Sequence, residues 1–254
     1  MMNSKRLSKQ ELVDIYNDTM KYALEISSQF YKSEKINIYN LCIKKIPVKN
    51  YSPIIEVINQ HIIKTILSTE DSKILVLNLA SHHNPGGGVK SGAMSQEEEL
   101  SRCSDYMSHS NNNSYNPLYP MSRNEIIFTP NIKVIKDENY NKLELHRIKE
   151  FDMLAVAAIR NPRLINNRLS TFDGDITFKK IEAIFKFGII HNYEVLILGA
   201  LGCGAYHNPP EEIISIFNDC IIKYSNNFRK IIFSIYSIRD NNYEKFNNYI
   251  VTSI

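Results

Sequence analysis

Residues 73–99 read KILVLNLASHHNPGGGVKSGAMSQEEE. The opening KILVLNL is an apolar, β-branched run of strand length, which predicts a buried strand over Lys73 to Leu79. It feeds directly into Asn84, a proline and three glycines. Gly86, Gly87 and Gly88 are free to take positive-φ conformations and to let a ligand approach the main chain, where successive N–H groups bind anions. Leu100, Cys103 and Met107 follow Gln96 to Glu99 at helical spacing, so the glutamates are predicted in the first turn of a helix. The positive end of the helix dipole favours carboxylates there. Strand, glycine loop and helix is the order that ligand sites in open α/β sheets use. The stretch implies a phosphate-bearing ligand whose chemistry is done by a carboxyl group.

A second unit of the same design lies far along the chain. EVLIL (Glu194 to Leu198) is another buried-strand candidate, followed at once by GALGCGAYHNPPEE and a helix from Pro210 to Tyr224. Pro210 suits a first helical turn, and Glu211 and Glu212 complement its dipole. Two such loops are placed to clamp a diphosphate from both sides. Neither loop carries the GK[ST] of a P-loop, and Gly199, Gly202 and Gly204 do not make GxGxxG, so a kinase-like NTPase and a Rossmann dehydrogenase are not supported.

Around these units the pattern predicts an amphipathic helix over Lys9 to Tyr31, a strand over Ile36 to Ile43 and a helix over Ile54 to Leu67. Strand-like pieces follow at Glu125 to Thr129, Ile132 to Ile135 and Phe151 to Ala158, then an irregular stretch through Thr171. A helix over Ile176 to Ile190, a strand over Lys230 to Tyr236 and a short polar C-terminal helix complete the chain. Asn111 to Pro120 (NNNSYNPLYP) is turn-rich and is the candidate mobile loop. The fold class is α/β with a mixed sheet.

At 254 residues the chain suits one large domain, or one domain with an N-terminal extension. With 43% hydrophobic and 22% charged residues it has a globular composition. A net charge of +3 permits an anionic ligand without the basic stripe of a general nucleic-acid binder. No apolar run approaches the ~20 residues that span a bilayer, and no apolar segment follows the N-terminal charges as in a secretory signal, so a cytoplasmic protein is expected. Cys42, Cys103, Cys203 and Cys220 form no CxxC, which fits reduced thiols better than a disulfide framework.

Each candidate has a structural reading beside the functional one. A glycine triplet alone is ordinary turn chemistry, and acidic residues in a first helical turn are ordinary decoration. Side by side they point to more. Clustered carboxylates near an anion repel one another, raising one pKa toward the range where a carboxylic acid donates a proton near neutrality. Acid help to a leaving oxygen, then base activation of water, is the usual glycoside chemistry. His82 and His83 lack partners to complete a metal set, and adjacent residues on a strand end are expected to point to opposite sides. Cys103 and Cys203 are small enough to serve as packing rather than as nucleophiles. Tyr206 is either a ring against ribose or diphosphate or an ordinary core aromatic; its place at a loop tip favours contact.

Taken together these residues resemble the poly(ADP-ribose) glycohydrolase family, specifically its compact microbial branch built on a macrodomain fold. The signature of a glycine triplet, a short spacer and Gln-Glu-Glu is met by Gly86, Gly87, Gly88, then seven residues, then Gln96, Glu97 and Glu98. The family's second loop, Gly-Ala-x-Gly-Cys-Gly-aliphatic-aromatic-x-Asn, is similar to Gly199, Ala200, Gly202, Cys203, Gly204, Ala205, Tyr206 and Asn208. Weaker similarity covers most of the chain. The resemblance implies a three-layer α/β/α macrodomain-like fold over residues 36–254, with residues 1–35 as an N-terminal helical extension packed on it. It implies a glycoside hydrolase in which Glu98 is the catalytic acid and then base at the ribose–ribose bond. Glu97 would orient the linkage through ribose hydroxyls, with Gln96 beside it, and Asn84 would hold the distal ribose. The triplet and the loop Gly202, Cys203, Gly204, Ala205 and Tyr206, with Asn208, would hold the diphosphate. Its partners would be ADP-ribose and poly(ADP-ribose), including polymer attached to proteins. No metal or organic cofactor, membrane or sequence-specific nucleic acid is implied, and a monomer attacking chain ends is expected. Glu99 adds a third glutamate to the signature, Tyr206 stands where phenylalanine is usual, and His207 where glycine is common. Alternatives are a hydrolase of mono-ADP-ribosyl groups or O-acetyl-ADP-ribose, which the Gln-Glu-Glu run disfavours, and a non-catalytic ADP-ribose-binding module, which would need no glutamate pair.

Overall fold

The structure is a computed structural model, and it describes residues 7–252 apart from 28, 44–45, 71–72, 111–117 and 238–239. The elements in chain order are α1 (Lys9–Ile26), β1 (Glu34–Asn37), β2 (Ile54–Ile58), α2 (Ile62–Ser68), β3 (Ile74–Leu79), α3 (Gln96–Cys103) and α4 (Tyr106–Ser110). Then come β4 (Glu125–Val134), β5 (Lys149–Val156), the two-residue strands β6 (Leu164–Ile165) and β7 (Arg168–Leu169), α5 (Thr171–Ile190), β8 (Val195–Leu198), α6 (Pro210–Tyr224), β9 (Lys230–Ser234) and α7 (Asn242–Tyr249).

Seven strands form one mixed sheet in the order β1-β4-β5-β3-β8-β9-β2. β5, β3, β8, β9 and β2 run parallel, and β4 and β1 add on antiparallel at one side. The parallel strands are apolar throughout because both faces are covered. Leu75, Leu77, Leu196, Leu198, Ile231 and Phe233 face a core built with α5 and α6. Their neighbours Ile74, Val76, Val195, Ile197 and Ile232 face a second core with α2, α3 and α4. The result is a three-layer α/β/α, macrodomain-like arrangement.

The N-terminal helix is tied down by specific contacts. Ser8 and Glu11 form a reciprocal capping box at its start. The buried Arg102 guanidinium donates from Nε to the Leu12 carbonyl (3.1 Å) and from Nη2 to Ala93 O (2.5 Å). Gly92, at φ +73°, brings its backbone so close to Lys9 that a Cβ there would meet Lys9 O at 2.5 Å. The helix thus lies against α3 and the turn that leads into it.

Several local expectations are corrected. Residues 54–58 are a strand, not the start of a helix: Ile54 is exposed, Ile55 buried, Glu56 intermediate and Val57 buried, a period of two that pairs with β9. Only Ile62–Ser68 is helical. The strand expected over 36–43 starts at Glu34 and gives way at Ile38 to a 3₁₀ turn capped by Asn37. The pieces at 125–129 and 132–135 are one strand with a register shift between Thr129 and Ile132. Pro130 has no N–H to donate, and Asn131 takes φ +53°, giving its N–H to the Asp152 carboxylate (2.7 Å). The stretch 163–170 holds the small β6–β7 pairing, and α5 begins at Thr171, capped by Ser170. Met107 is not on the glutamate helix, because Ser104 leaves it in extended conformation to bridge Val134. The mobile-loop expectation at 111–117 lies outside the described residues.

Gly188 on α5 packs closely against the core: a Cβ would sit 2.8 Å from the Phe228 ring. Gly188→Val is expected to destabilise the fold by about 1–3 kcal/mol through overpacking, despite better helix propensity. Denaturant unfolding measures it.

Candidate active site

The carboxyl ends of β5, β3 and β8 open on a cleft of about 500 Å³, lined on one side by the glycine turn after β3 and on the other by the loop after β8. Glu97 and Glu98 form its floor and are 2% and 5% exposed. Ser95 stands at the N-cap position of α3 with its hydroxyl given to Glu98 rather than to the backbone, and both carboxylates leave the first turn and fold back over the glycines.

The backbone receives them. Glu97 Oε2 accepts the Ser81 N–H (2.6 Å), and its Oε1 accepts Gly86 N–H (3.2 Å) and the Asn78 amide (3.4 Å). Glu98 Oε1 accepts Gly88 N–H (2.7 Å), and its Oε2 accepts the Ser95 hydroxyl. The triplet therefore takes positive φ at Gly86 and Gly87 in order to hold carboxylates, not an anionic ligand. A Cβ on Gly87 would collide with both carboxylates, and one on Gly88 would meet the Ala93 side chain at 2.8 Å. Gly86 lies beneath, where a Cβ would meet Met107 Sδ at 2.7 Å. Of the triplet, Gly87 and Gly88 line the cleft, and Gly86 does not.

Burial, with a lesser push from Glu98, raises the Glu97 carboxyl to about 8 against the opposing hydrogen bonds from Ser81, Asn78 and Gly86. Carboxylate repulsion was the expected cause, but loss of water contact is the larger one. Glu99 is turned away and pairs with His61 Nδ1 at 2.8 Å. The structure thus brings two of the three glutamates to the triplet.

The remaining candidates divide by geometry. Asn84 is exposed on the cleft wall, and its carbonyl closes the turn by accepting Gly87 N–H (3.1 Å). Gln96 borders the cleft, but its amide is taken up by β3, donating to Leu77 O and accepting Leu79 N–H, both at 2.7 Å. In the second loop Gly202, Gly204, Ala205 and Tyr206 line the cleft. Their N–H groups enter no hydrogen bond among the described residues, whereas those of Leu201, Cys203, His207 and Asn208 close internal turns. Asn208 staples the loop: it is buried, and its amide binds the carbonyls of Ile159, Gly202 and Tyr206. Gly202, at φ +76°, is the position where any side chain would strike that amide at 2.5 Å. Cys203 does not line the cleft; it packs against the core, and burial pushes its thiol well up. Tyr206 lines the cleft and also packs, partly buried, against the core, and its hydroxyl lies 3.4 Å from both His82 Nδ1 and the His82 N–H. His82 and His83 do not diverge, because they follow the strand in a bend and their rings lie 3.7 Å apart.

A family model for the microbial-type PARG catalytic domain matches residues 4–137, which hold α1, the glycine triplet and the glutamate run. The chain belongs to this family. It is accordingly a glycoside hydrolase of the PARG type. Among solved structures it is similar to the poly(ADP-ribose) glycohydrolase of Thermomonospora curvata, with a TM-score of 0.78 and 18% identity over 95% of this chain and all of that one. The same enzyme bound to the inhibitor ADP-HPD gives 0.76 and 19% over 94% and 99%. A Deinococcus radiodurans poly(ADP-ribose) glycohydrolase in complex with ADP-ribose gives 0.72 and 17% over 92% and 96%. At such identities the likeness establishes the fold. Comparison with curated proteins finds no match.

Three polar residues on the cleft wall escaped the sequence reading: Ser81, Ser95 and Arg160. Ser95 was detectable, for Ser95-Gln-Glu-Glu98 is a capping-box spacing. Arg160 follows β5 in sequence with nothing local to mark it. Two outcomes are expected from this geometry. The folded chain keeps the Glu97 proton that the unfolded chain releases, so stability should fall as pH rises from the ordinary glutamate range to about 8, then level off. Thermal melts between pH 5 and 9 should show a loss on the order of a few kcal/mol that Glu97→Gln flattens. Gly87→Ala should destabilise by about 1–3 kcal/mol in denaturant unfolding, through strain at positive φ and displacement of the Glu98 carboxylate.

Proposed function

We propose that this chain cleaves poly(ADP-ribose) at chain ends, releasing ADP-ribose by acid–base chemistry at Glu98. The observation that carries the reading is a pair of buried carboxylates set between the two glycine loops, one of them held protonated near neutrality. The free N–H groups of Gly202, Gly204, Ala205 and Tyr206 would hold the diphosphate. A second cleft of about 400 Å³ continues past Gly204 and Ala205 to the ends of β9 and β2. It suits the nucleobase, with the exposed Tyr236 ring, packed 3.6 Å from that of His61, as a stacking face. The distal ribose then falls beside Asn84, Glu97 and Glu98. One ADP-ribose unit occupies this span, which is the basis for assigning chain-end attack.

In the reaction Glu98 gives its proton to the departing ribose oxygen as the C1″–O bond breaks and charge develops on the sugar ring. A water then adds to C1″ and returns its proton to Glu98. Neutral Glu97 donates to a ribose hydroxyl, positioning the bond without placing a second negative charge beside Glu98. Ser95 and Gly88 fix the Glu98 carboxyl. The N-terminal extension serves as a brace, since α1 grips the far end of α3 through Arg102.

Wild type is expected to release ADP-ribose from labelled polymer, and Glu98→Gln to lower kcat by about 10²–10⁴-fold with ADP-ribose affinity retained. A wild type inert on polymer, or a mutant equal to it, would falsify the assignment.

A further inference from the structure

The trench also continues in the direction away from the nucleobase cleft. Between the end of β5 and the start of β4 lies a third cleft, of about 170 Å³, which shares Ala158 and Arg160 with the central one. Its wall carries His82, Ser122, Arg123, Arg160 and Lys180. The three clefts therefore follow the strand order along one edge of the sheet.

This third cleft is charged in an unusual way. Lys180, on α5, is 3% exposed, and its Nζ makes one hydrogen bond, to Ala157 O at 2.5 Å. No carboxylate lies within ion-pair distance of it among the described residues, although a buried ammonium ordinarily has one. Burial and the nearby Arg123 pull its pKa down to about 8, opposed by Glu125. Arg160 forms no ion pair among the described residues. Arg123 lies over the Phe172 ring at 5.5 Å, with Asp173 at 4.0 Å. The two acids on this side are already engaged, Glu125 by Lys35 and the Ser122 N–H, and Asp173 by the Arg163 N–H. His82 is held toward its neutral form by burial and by His83, Arg160 and Lys180. The wall therefore presents an excess of donors with fixed positive charge, converging from α5, the β5 loop and the turn before β4.

We propose that this cleft is an anion subsite for the diphosphate of the ADP-ribose unit on the far side of the scissile bond. The assignment rests on the polymer-cleaving reading above. With base, diphosphate and distal ribose laid along β9, β8 and β3, a linear substrate leaves the catalytic carboxylates toward β5 and β4. The first part of the next unit is a ribose that carries its own diphosphate. A charge-assisted grip on that group would hold the leaving side during bond cleavage and is made only with polymer.

The test uses Arg123→Gln, an exposed side chain, and Lys180→Met, checked for folding by its melting temperature. With ADP-ribose saturating the central cleft, calorimetric titration of inorganic pyrophosphate should show binding to wild type that weakens about tenfold in each folded variant. With polymer as substrate, KM should rise by a similar factor and the salt dependence of KM should shallow by about one unit of slope. Affinity for free ADP-ribose should stay within about twofold, because that ligand does not reach the cleft. Pyrophosphate binding that is absent from wild type or equal in Arg123→Gln overturns the subsite, as does an unchanged polymer KM. A parallel loss of ADP-ribose affinity overturns it too, by assigning these cations to the central cleft. If wild type fails to cut polymer, the functional reading falls, and the pyrophosphate titration still decides whether the cleft binds anions. Should Lys180→Met not fold, Arg123→Gln decides alone.

Discussion

Two carboxylates almost out of reach of water are held against backbone that has no side chains, and much of the molecule is arranged around that contact. A buried carboxylate needs donors. Here they come from Ser81, Gly86 and Gly88, main-chain groups that reach the acids only because the turn after β3 winds through positive φ without Cβ atoms. The same contact sets the chemistry: the donors do not fully offset burial at Glu97, so its carboxyl holds a proton where an ordinary glutamate has lost it. Position and protonation follow from one packing arrangement.

The two glycine loops, alike in sequence context, do different work. The loop after β3 directs its N–H groups inward at its own protein's acids. The loop after β8 leaves those of Gly202, Gly204, Ala205 and Tyr206 uncommitted among the described residues and anchors itself from behind through Asn208 and the Asn161–Tyr206 backbone contact. Similar turns therefore build the acidic floor of the cleft in one case and its wall in the other. What separates them is the engagement of the neighbouring acids: Glu97 and Glu98 accept the first loop's N–H groups, whereas Glu211 and Glu212 after the second loop pair with Lys245 and Arg168.

Much of this was legible in the sequence. The strands β3 and β8 and the helix α6 announce themselves as uninterrupted apolar runs or as a clean amphipathic period with Pro210 at its start. Residues 54–67 misled because isoleucine-rich AT-biased sequence supplies apolar residues at both periods; only pairing with β9 separates strand from helix. The β4 bulge depends on a proline whose effect is set by its partner strand. At the site, residue types and spacing identified the glutamate pair, but the direction of the triplet's N–H groups was not readable, because it depends on which way a helix several residues later folds back. Asn208 and Cys203 shape the loop from within, and a motif does not distinguish what touches a ligand from what shapes the loop. Arg160 and Lys180 come from separate segments and meet only in three dimensions.

The Gln96 side chain, which bridges Leu77 O and Leu79 N–H, does for β3 what another strand would do at that point. It stitches the first residue of α3 into the central sheet's own ladder. The acids at the next two positions are consequently not mounted on a surface loop that breathes independently. They belong to the same cooperative unit as the innermost strand, so local opening that exposes Glu97 and Glu98 must also break the sheet's hydrogen bonding. Thermal inactivation and loss of the sheet should therefore be a single event, an enzyme that stays assembled until the whole domain comes apart.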